Sequence, residues 1–260
     1  MSAAALLLLV WTPAALAMAW GWRWQRRHDN AGIVDVLWAS GLGCAAVLVA
    51  FLARGDVLHR TTTGILGAIW GWRLAAHLWR RVKSEREDGR YRHLRAHWQN
   101  NQLKFFLFFQ LQALLVVVFS LPFLASACNT QRHLGWLTAG AGIWIISVVG
   151  EAIADRQLAA FRRIPSHRGK TCQRGLWRYS RHPNYFFEWL HWFAYVALSM
   201  GSPLAWLAWT GPVLMYMFLR WVSGVPFTEA QALRSRGEEY RRYQQSTPML
   251  FPWFPKHPSE

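Results

Sequence analysis

Residues 104–126 read KFFLFFQLQALLVVVFSLPFLAS, an apolar run with one charged residue, at its first position. A helix needs about 20 consecutive apolar residues to cross the hydrocarbon core of a membrane, so this run is long enough to span it. Runs of similar character recur on both sides of it. The seven candidate spans lie at residues 3–20, 32–53, 62–79, 104–126, 134–154, 184–200 and 203–222. The sequence therefore predicts an all-α integral membrane protein with seven transmembrane helices.

The overall composition fits a membrane protein better than a soluble one. Of 260 residues, 53% are hydrophobic, only 16% are charged and 18 are tryptophan. The formal net charge of +16 would also suit a nucleic-acid partner, because clustered basic residues beside aromatic ones are typical of phosphate binding. The charges, however, follow the loops between the apolar runs. We therefore expect no nucleic-acid partner.

The basic residues alternate from loop to loop. The loops after the first, third and fifth runs, together with the C-terminal tail, carry 23 Lys and Arg, whereas the remaining loops carry 3. The positive-inside rule places the first group in the cytosol. We expect the N-terminus outside and the C-terminus in the cytosol, as in a multi-pass protein of the inner membrane if the chain is bacterial. Topology and contact with anionic headgroups explain most of this charge.

No repeat and no low-complexity linker divides the chain, so we predict one membrane domain over residues 1–260 with a cytosolic helix and tail at 228–260. Thr228 is the expected N-cap of that helix, and Gln245 its expected end. The run at 3–20 has no basic residue before it, which favours a retained helix over a signal peptide. The three cysteines share neither CxxC spacing nor a location, so we predict no disulfide and no metal site.

Ionisable side chains inside apolar runs are candidates for function, because a charge at mid-bilayer costs about 3 kcal/mol or more. Asp35 and Arg73 lie a turn or more inside consecutive runs, where they could form a structural ion pair or part of a polar site. Glu188 and His191 are three residues apart and share one helix face. Snorkelling or simple solvation accounts equally well for those near the ends of runs, which are Glu151, Asp155 and Arg220.

The stretch GLWRYSRHPNY at residues 175–185 is the strongest local signal. Pro183 suits the first turn of a helix, since its missing N–H has no helical partner there in any case. The free N–H groups of that turn attract an anion, and Arg178, Arg181 and His182 would surround the anion with positive charge. The alternative is a basic flank beside a proline-started helix.

The Arg-His-Pro-Asn-Tyr string at 181–185 resembles a motif shared by steroid 5-alpha-reductases, sterol reductases and the isoprenylcysteine carboxyl methyltransferases with their phospholipid methyltransferase relatives. The segment EAIADRQ at 151–157 is similar to the steroid-reductase-like branch, and GEEYRRY at 237–243 to the C-terminal signature of the superfamily. Segments 33–38 and 70–74 also resemble that branch. The resemblance thus extends from the second run to the tail.

The resemblance to the steroid 5-alpha-reductase family implies NADPH-dependent reduction of a lipophilic enone, such as a 3-oxo-4-ene steroid, by hydride transfer to the β carbon. It also implies a cofactor site toward the cytosol and an apolar substrate cavity open to the membrane. Glu188 matches an acidic position of the family. The residues implied to bind the cofactor are Asp155, Arg162, Tyr179, Arg181, His182, Asn184, Glu239, Tyr240 and Tyr243. No GxGxxG motif supports a Rossmann site, so NADPH rests on the resemblance.

The chain departs from the animal steroid reductases where the substrate carbonyl would be polarised. Their Gln-Glu pair in the second helix is absent, and their tyrosine in the third helix falls at Trp70, which has no phenol group. Hydride addition to an enone needs a donor at the developing enolate oxygen. We therefore expect a protonated Asp35, its pKa raised by burial, to act on the substrate, with Arg73 or Trp70 shaping the site.

Two other functions stay open. The methyltransferase relatives use the Arg-His-Pro and Glu-Glu-Tyr signatures for S-adenosylmethionine, so an S-adenosylmethionine-dependent membrane methyltransferase of the isoprenylcysteine or phospholipid type is the main alternative. A lipid-binding or assembly protein that kept the scaffold is the other. The expected partners are a lipophilic small molecule and membrane lipid, with no obligate protein partner.

Overall fold

The computed structural model describes residues 2–256, and every regular element in that part of the chain is helical. The prediction of an all-α protein is thereby confirmed for these residues. The α-helices are α1 (Ala3–His28), α2 (Ile33–Leu52), α3 (Val57–Ser84), α4 (Gly89–His97), α5 (Gln102–Ala127), α6 (Leu134–Arg163), α7 (Pro183–Leu198), α8 (Thr210–Met217), α9 (Val225–Arg236) and α10 (Glu238–Ser246).

Four of these helices, α1, α2, α5 and α6, are long and apolar enough to cross a membrane. This supports a membrane-spanning protein. Helix α3 has 28 residues, but its Arg73, its His77 and its basic C-terminal turn lower its mean hydropathy. Helix α7 has only 16 residues, fewer than a perpendicular span requires. The count of seven spans and the orientation of the termini stay predictions.

The predicted seventh span at 203–222 is wrong as a continuous helix. A 3₁₀ turn covers Ala205–Trp209, α8 begins at Thr210, and a π-helical turn follows at Phe218–Val222. The break has a local cause, because Pro212 cannot donate a helical hydrogen bond and is tolerated best in the first turn of a helix. The α-helical part therefore begins two residues before this proline.

The predicted helix at 228–245 is also wrong as a single element. Two helices, α9 and α10, meet at Gly237, whose φ of 53° lies in the left-handed region that favours glycine. Thr228 is not the N-cap, since α9 begins at Val225 with Pro226 in its first turn. The loop expected after the third run contains α4, which is capped by the Asp88 carboxylate.

The chain divides into two compact units, each built from two separate segments. Unit 1 comprises Met1–Ala141 and Tyr195–Gly211, and unit 2 comprises Gly142–Ala194 and Pro212–Glu260. The organisation as one membrane domain stays a prediction.

Unit 1 is a bundle in which α2 and α3 approach closely through small residues. A Cβ atom on Gly71 would lie 2.7 Å from the backbone nitrogen of Gly43, and one on Gly67 would lie 2.4 Å from the Cβ of Ala46. Small residues of this kind let two helical backbones come into contact, as is common in membranes. Trp70 and Phe109 are fully buried in the same unit. Trp70 therefore serves the core, with its ring 6.2 Å from that of Trp38.

In unit 2 the helix pair α9 and α10 forms a small core of its own. Tyr240 and Tyr243 lie one turn apart on α10, as the sequence predicted, and pack against Ala232 of α9. The charged residues of α10 take the opposite face. Tyr243 also contacts the segment that precedes α7, through hydrogen bonds described below.

Candidate functional site

A buried ionic cluster lies immediately before α7 in unit 2. Helix α7 begins at Pro183, as predicted, and the two preceding side chains both contact Glu229 of α9. The Arg181 Nε donates to Glu229 Oε1 at 2.8 Å, and His182 Nε2 lies 3.2 Å from the same oxygen. The three side chains are 11%, 3% and 15% exposed. We call these three residues the Arg-His-Glu cluster.

Glu229 is the member of this cluster that sequence reasoning missed. A carboxylate one residue after a serine or threonine in a helical segment carries no motif, so only the three-dimensional structure identifies it. Its presence changes the predicted anion pocket, because the charge of Arg181 is already balanced by Glu229.

Burial and pairing set the charge states in the cluster. Burial alone would raise the pKa of the Glu229 carboxyl, but hydrogen bonds from His182 and Arg181 outweigh it and lower that pKa to about 2. Burial lowers the pKa of His182, and hydrogen bonding to Glu229 offsets this only in part. At neutral pH the cluster is therefore an ionised Glu229 held by a permanent cation and a neutral imidazole that donates from Nε2.

Arg181 also fastens the C-terminal segment to the start of α7. Its Nη1 donates to the carbonyl oxygens of Gln244 at 2.8 Å and Thr247 at 2.7 Å, and its backbone N–H donates to the Pro248 carbonyl at 2.9 Å. Ser180 Oγ donates to the Leu250 carbonyl at 2.8 Å. Most of the hydrogen-bonding capacity of Arg181 is thus used inside the protein.

Tyr240 and Tyr243, predicted to bind cofactor, are 3% and 2% exposed. The Tyr243 hydroxyl donates to the Trp177 carbonyl and lies 3.2 Å from the Ser180 carbonyl oxygen. Burial raises the pKa of both phenols, and the negative charge of Glu229 adds to the rise for Tyr240. In this arrangement both tyrosines stay protonated and support the segment before α7.

Four other predicted cofactor residues, Asp155, Tyr179, Asn184 and Glu239, lie at partly exposed positions of unit 2. Asn184 Nδ2 donates to Asp155 Oδ1 at 3.3 Å, which joins the first turn of α7 to α6. Glu239 Oε1 accepts from the Thr171 backbone N–H at 2.8 Å. Tyr179 is half-buried, and its ring stands edge-on to that of Phe254 at 5.9 Å.

The segment between α6 and α7 presents a row of cations. We call residues 163–178 the basic loop. Its exposed cationic side chains make no hydrogen bond and no ion pair with any residue in the part of the chain that the structure describes; they are Arg163, Arg168, Lys170, Arg174 and Arg178. Arg162, the predicted cofactor residue just before the loop, is exposed in the last turn of α6.

The far end of the basic loop is anchored to α6. The Gln157 side chain accepts from the Leu176 N–H at 2.9 Å, and the Trp177 indole N–H donates to the Ala154 carbonyl at 2.9 Å. Both anchors flank Asp155 in sequence. The end of the loop at Leu176 and Trp177 is thereby fixed to the turn of α6 that contains Asp155.

A polar stripe runs along one face of α7. Asn184 and Glu188 are four residues apart, and Glu188 and His191 three apart, so all three share a face of an otherwise apolar helix. Glu188 is half-buried and His191 is 1% exposed. The stripe begins at the Asp155–Asn184 bond and continues into the apolar part of the helix.

In unit 1, Asp35 lies in a second ionic cluster. Its Oδ2 accepts from Arg90 Nη2 at 3.1 Å, and its Oδ1 accepts from the Tyr91 hydroxyl at 2.7 Å. Arg90 also donates to Asp88 at 3.2 Å. We call these four residues the Asp-Arg-Tyr cluster.

The expectation that Asp35 is uncompensated, or paired with Arg73, is therefore wrong. Its partner is Arg90 of α4, whose guanidinium lies within ion-pair distance of the carboxylate. Burial raises the pKa of the Tyr91 phenol well above its usual value, and the Asp35 charge adds to the effect. The adjoining cavity holds only about 30 Å³, about enough for one water molecule.

Arg73 and Glu188, the other predicted catalytic residues, belong to different units. Arg73 is half-buried on α3 of unit 1, while Glu188 lies on α7 of unit 2. Their catalytic roles stay predictions.

Four helices long and apolar enough to cross a membrane indicate an α-helical membrane-spanning protein. The chain belongs to a family of proteins of unknown function, DUF1295, which matches residues 21–247. No curated protein and no solved structure gives a match.

Proposed function

We propose that the protein is an NADPH-dependent membrane reductase that acts on the carbon–carbon double bond of a lipophilic enone. The observation that carries the proposal is the basic loop of unit 2, whose five exposed cations have no protein partner among residues 2–256. The family also includes steroid 5-alpha-reductase-like proteins, which supports a reductase of this type.

The residues present fit the phosphates of such a cofactor. Cations without a protein partner are the groups that phosphate oxygens bind, and Arg174 and Arg178 flank Leu176 and Trp177, the two residues that anchor the loop to α6. Arg181, His182, Tyr240 and Tyr243 would instead act indirectly, because they are buried and hold the segment that carries the loop. S-adenosylmethionine has no phosphate, so the same row of cations favours NADPH over it.

When bound, NADPH supplies the hydride that adds to the β carbon of the enone. The carbonyl oxygen of the substrate then gains negative charge, and its α carbon must receive a proton. We assign this proton handling to the polar stripe on α7. Glu188 carries the only carboxyl group of that stripe, and Asn184 places its start beside Asp155.

The proposal for Asp35 changes with its surroundings. Asp35 is held by Arg90 and Tyr91, and the adjoining cavity of about 30 Å³ leaves no room for a sterol-sized substrate. We infer that Asp35 fixes α4 against the start of α2. Direct action of Asp35 on the substrate stays a prediction, which the turnover of Asp35→Asn tests.

Titration of the purified full chain with NADPH, NADP⁺ and S-adenosylmethionine tests the proposal. The double variant Arg174→Gln/Arg178→Gln should weaken NADPH binding about 10-fold or more, the scale of a lost charge-assisted hydrogen bond. Arg27→Gln is the matched control, because Arg27 is an exposed cation of unit 1 that makes no side-chain hydrogen bond or ion pair with any residue from 2 to 256.

If both variants lost the same NADPH affinity, the cations of the basic loop would only determine the orientation of the protein in the membrane. Binding of S-adenosylmethionine without NADPH would transfer the proposal to the methyltransferase alternative. Glu188→Gln should lower turnover about 100-fold while leaving NADPH affinity close to that of the parent protein. An active Glu188→Gln enzyme would overturn the assignment of the proton donor.

A further inference from the structure

An open groove of about 780 Å³ lies in unit 1, between the C-terminal ends of α1 and α3 and the segment that leads into α4. This volume is within the range of about 300–1,000 Å³ that is typical of small-molecule sites. The groove plays no part in the reductase proposal. Its lining residues include Trp24, Trp79, Lys83, Arg86, Arg92 and Arg95.

The groove combines two indole rings with basic side chains. Trp24 and Trp79 stand 6.2 Å apart between ring centroids, and the Lys83 ammonium lies 4.8 Å from the Trp79 ring centroid. Tryptophan and lysine at the ends of long apolar helices are typical of the boundary between hydrocarbon and headgroups. The groove thus lies at the depth where lipid headgroups are found if α1 crosses the membrane.

The acidic side chains of the groove, Asp29, Glu85 and Glu87, share two arginines as ion-pair partners. Glu87 accepts from Arg95 Nη2 at 2.8 Å and from the Ala31 backbone N–H at 2.8 Å. Glu85 lies 3.6 Å from Arg81, and Asp29 lies 3.9 Å from Arg95. Each carboxylate therefore has an arginine within ion-pair distance.

Two of the lining arginines have no such partner. Arg86 and Arg92 are exposed, and neither makes a side-chain hydrogen bond or an ion pair with any residue between positions 2 and 256. The structure therefore leaves two guanidinium groups beside two indole rings, with no carboxylate assigned to them. A ligand that matches both features carries a phosphate, which pairs with the guanidinium groups, and an apolar part, which contacts the indole rings.

We propose that this groove binds the phosphate of an anionic phospholipid headgroup. Arg86 and Arg92 hold the phosphate oxygens, and Trp24 and Trp79 contact the glycerol and the first methylenes of the acyl chains. Zwitterionic lipids bind less tightly, since their own ammonium group competes with the two arginines for the phosphate.

Native mass spectrometry of the full chain in detergent, supplied with equal amounts of phosphatidylglycerol and phosphatidylcholine, tests this site. The parent protein and Arg27→Gln should retain phosphatidylglycerol preferentially. The double variant Arg86→Gln/Arg92→Gln should bind phosphatidylglycerol about 30-fold more weakly, as expected for the loss of two cations near a membrane surface. Trp79→Leu should weaken both lipids.

Thermal unfolding provides the second readout. Phosphatidylglycerol should raise the melting temperature of the parent and of Arg27→Gln, because a ligand stabilises the state that binds it, and should leave that of the double variant unchanged. Equal retention of the two lipids by the parent, or equal behaviour of the double variant and Arg27→Gln, would overturn the proposal.

Competition experiments with inorganic phosphate and with NADPH show whether the groove binds a lipid, a free phosphate or a nucleotide. Inorganic phosphate should compete with the lipid only weakly, since it lacks the apolar part. A double variant that loses NADPH and keeps phosphatidylglycerol would also overturn the proposal, because it would assign the groove to a nucleotide. If the double variant Arg86→Gln/Arg92→Gln loses phosphatidylglycerol and binds NADPH as the parent does, the lipid site is supported. This result does not depend on whether the protein is a reductase.

Discussion

The Arg-His-Glu cluster of unit 2 and the Asp-Arg-Tyr cluster of unit 1 use the same chemistry at different depths of burial. Each contains an arginine–carboxylate ion pair, and in each a tyrosine interacts with the carboxylate, Tyr240 with Glu229 and Tyr91 with Asp35. Arg181 and Glu229 are 11% and 15% exposed, whereas Arg90 and Asp35 are 29% and 31% exposed. A buried charge that loses its partner has little water to replace it, so the first cluster depends more strongly on every member.

The largest effect is expected from Glu229→Ala. It leaves Arg181 charged and buried without its carboxylate, which should lower the free energy of unfolding by about 3–5 kcal/mol. Thermal unfolding in detergent measures the loss. Glu238→Ala is the control on the neighbouring helix, because Glu238 and its partner Arg241 are 70% and 64% exposed and such a pair contributes at most about 1 kcal/mol. Similar losses in both variants would remove the distinction between buried and exposed pairs.

Acidification should act on the same cluster by a different route. The pKa of His182 is lowered from 6.5 in the folded protein. Below pH 6.5 the unfolded chain therefore binds a proton that the folded protein does not bind, and this favours unfolding. The contribution of His182 to the stability is thus present above pH 6.5 and is lost as the pH falls below it. The pKa of Glu229 is lowered from 4.5 to about 2, so its contribution is lost between those values.

Melting temperature measured from pH 8 downward should therefore begin to fall near pH 6.5 and fall further below pH 4.5. In His182→Gln the first decline should become smaller while the second stays. A first decline that is unchanged in this variant would assign it to another histidine.

A smaller effect is expected from Asp35→Asn in unit 1. The amide oxygen can still accept from Tyr91, but the charge opposite Arg90 is lost, so the free energy of unfolding should fall by about 1–2 kcal/mol. Glu85→Gln, an exposed carboxylate 60% accessible to solvent, is the control. Turnover per folded molecule should stay near that of the parent. A fall of about 100-fold would instead restore the role of Asp35 as a proton donor.

The sequence predicted the elements whose signals are local. Pro183 marks the start of α7, and the long apolar runs became helices because their length and composition leave few alternatives in lipid. The break at Pro212 and the corner at Gly237 also have local causes. They were not predicted, because Pro212 lies within an apolar run and Gly237 lies between helix-favouring residues. Helix α4 was missed because its nine residues are mainly polar and carry no apolar period.

The candidate site was predicted only in part for a different reason. Sequence motifs identified Arg181, His182 and Asp35, but not the groups that neutralise them. Glu229 lies 48 residues from Arg181, and Arg90 lies 55 residues from Asp35. Nothing in a single sequence links residues at such separations. The partner decides whether a charge can bind a ligand, so the role of each motif residue depended on a contact that only the fold supplies.

The hydrogen bonds of Arg181 also set an order of events during biosynthesis. Its Nη1 donates to the carbonyl groups of Gln244 and Thr247, which lie 63 and 66 residues further along the chain. Because Gln244 and Thr247 are synthesised after α7, the growing chain passes through a stage in which Arg181 lacks both of these acceptors. A chain truncated before Thr247 would remain in that stage, with the start of α7 no longer joined to the C-terminal segment.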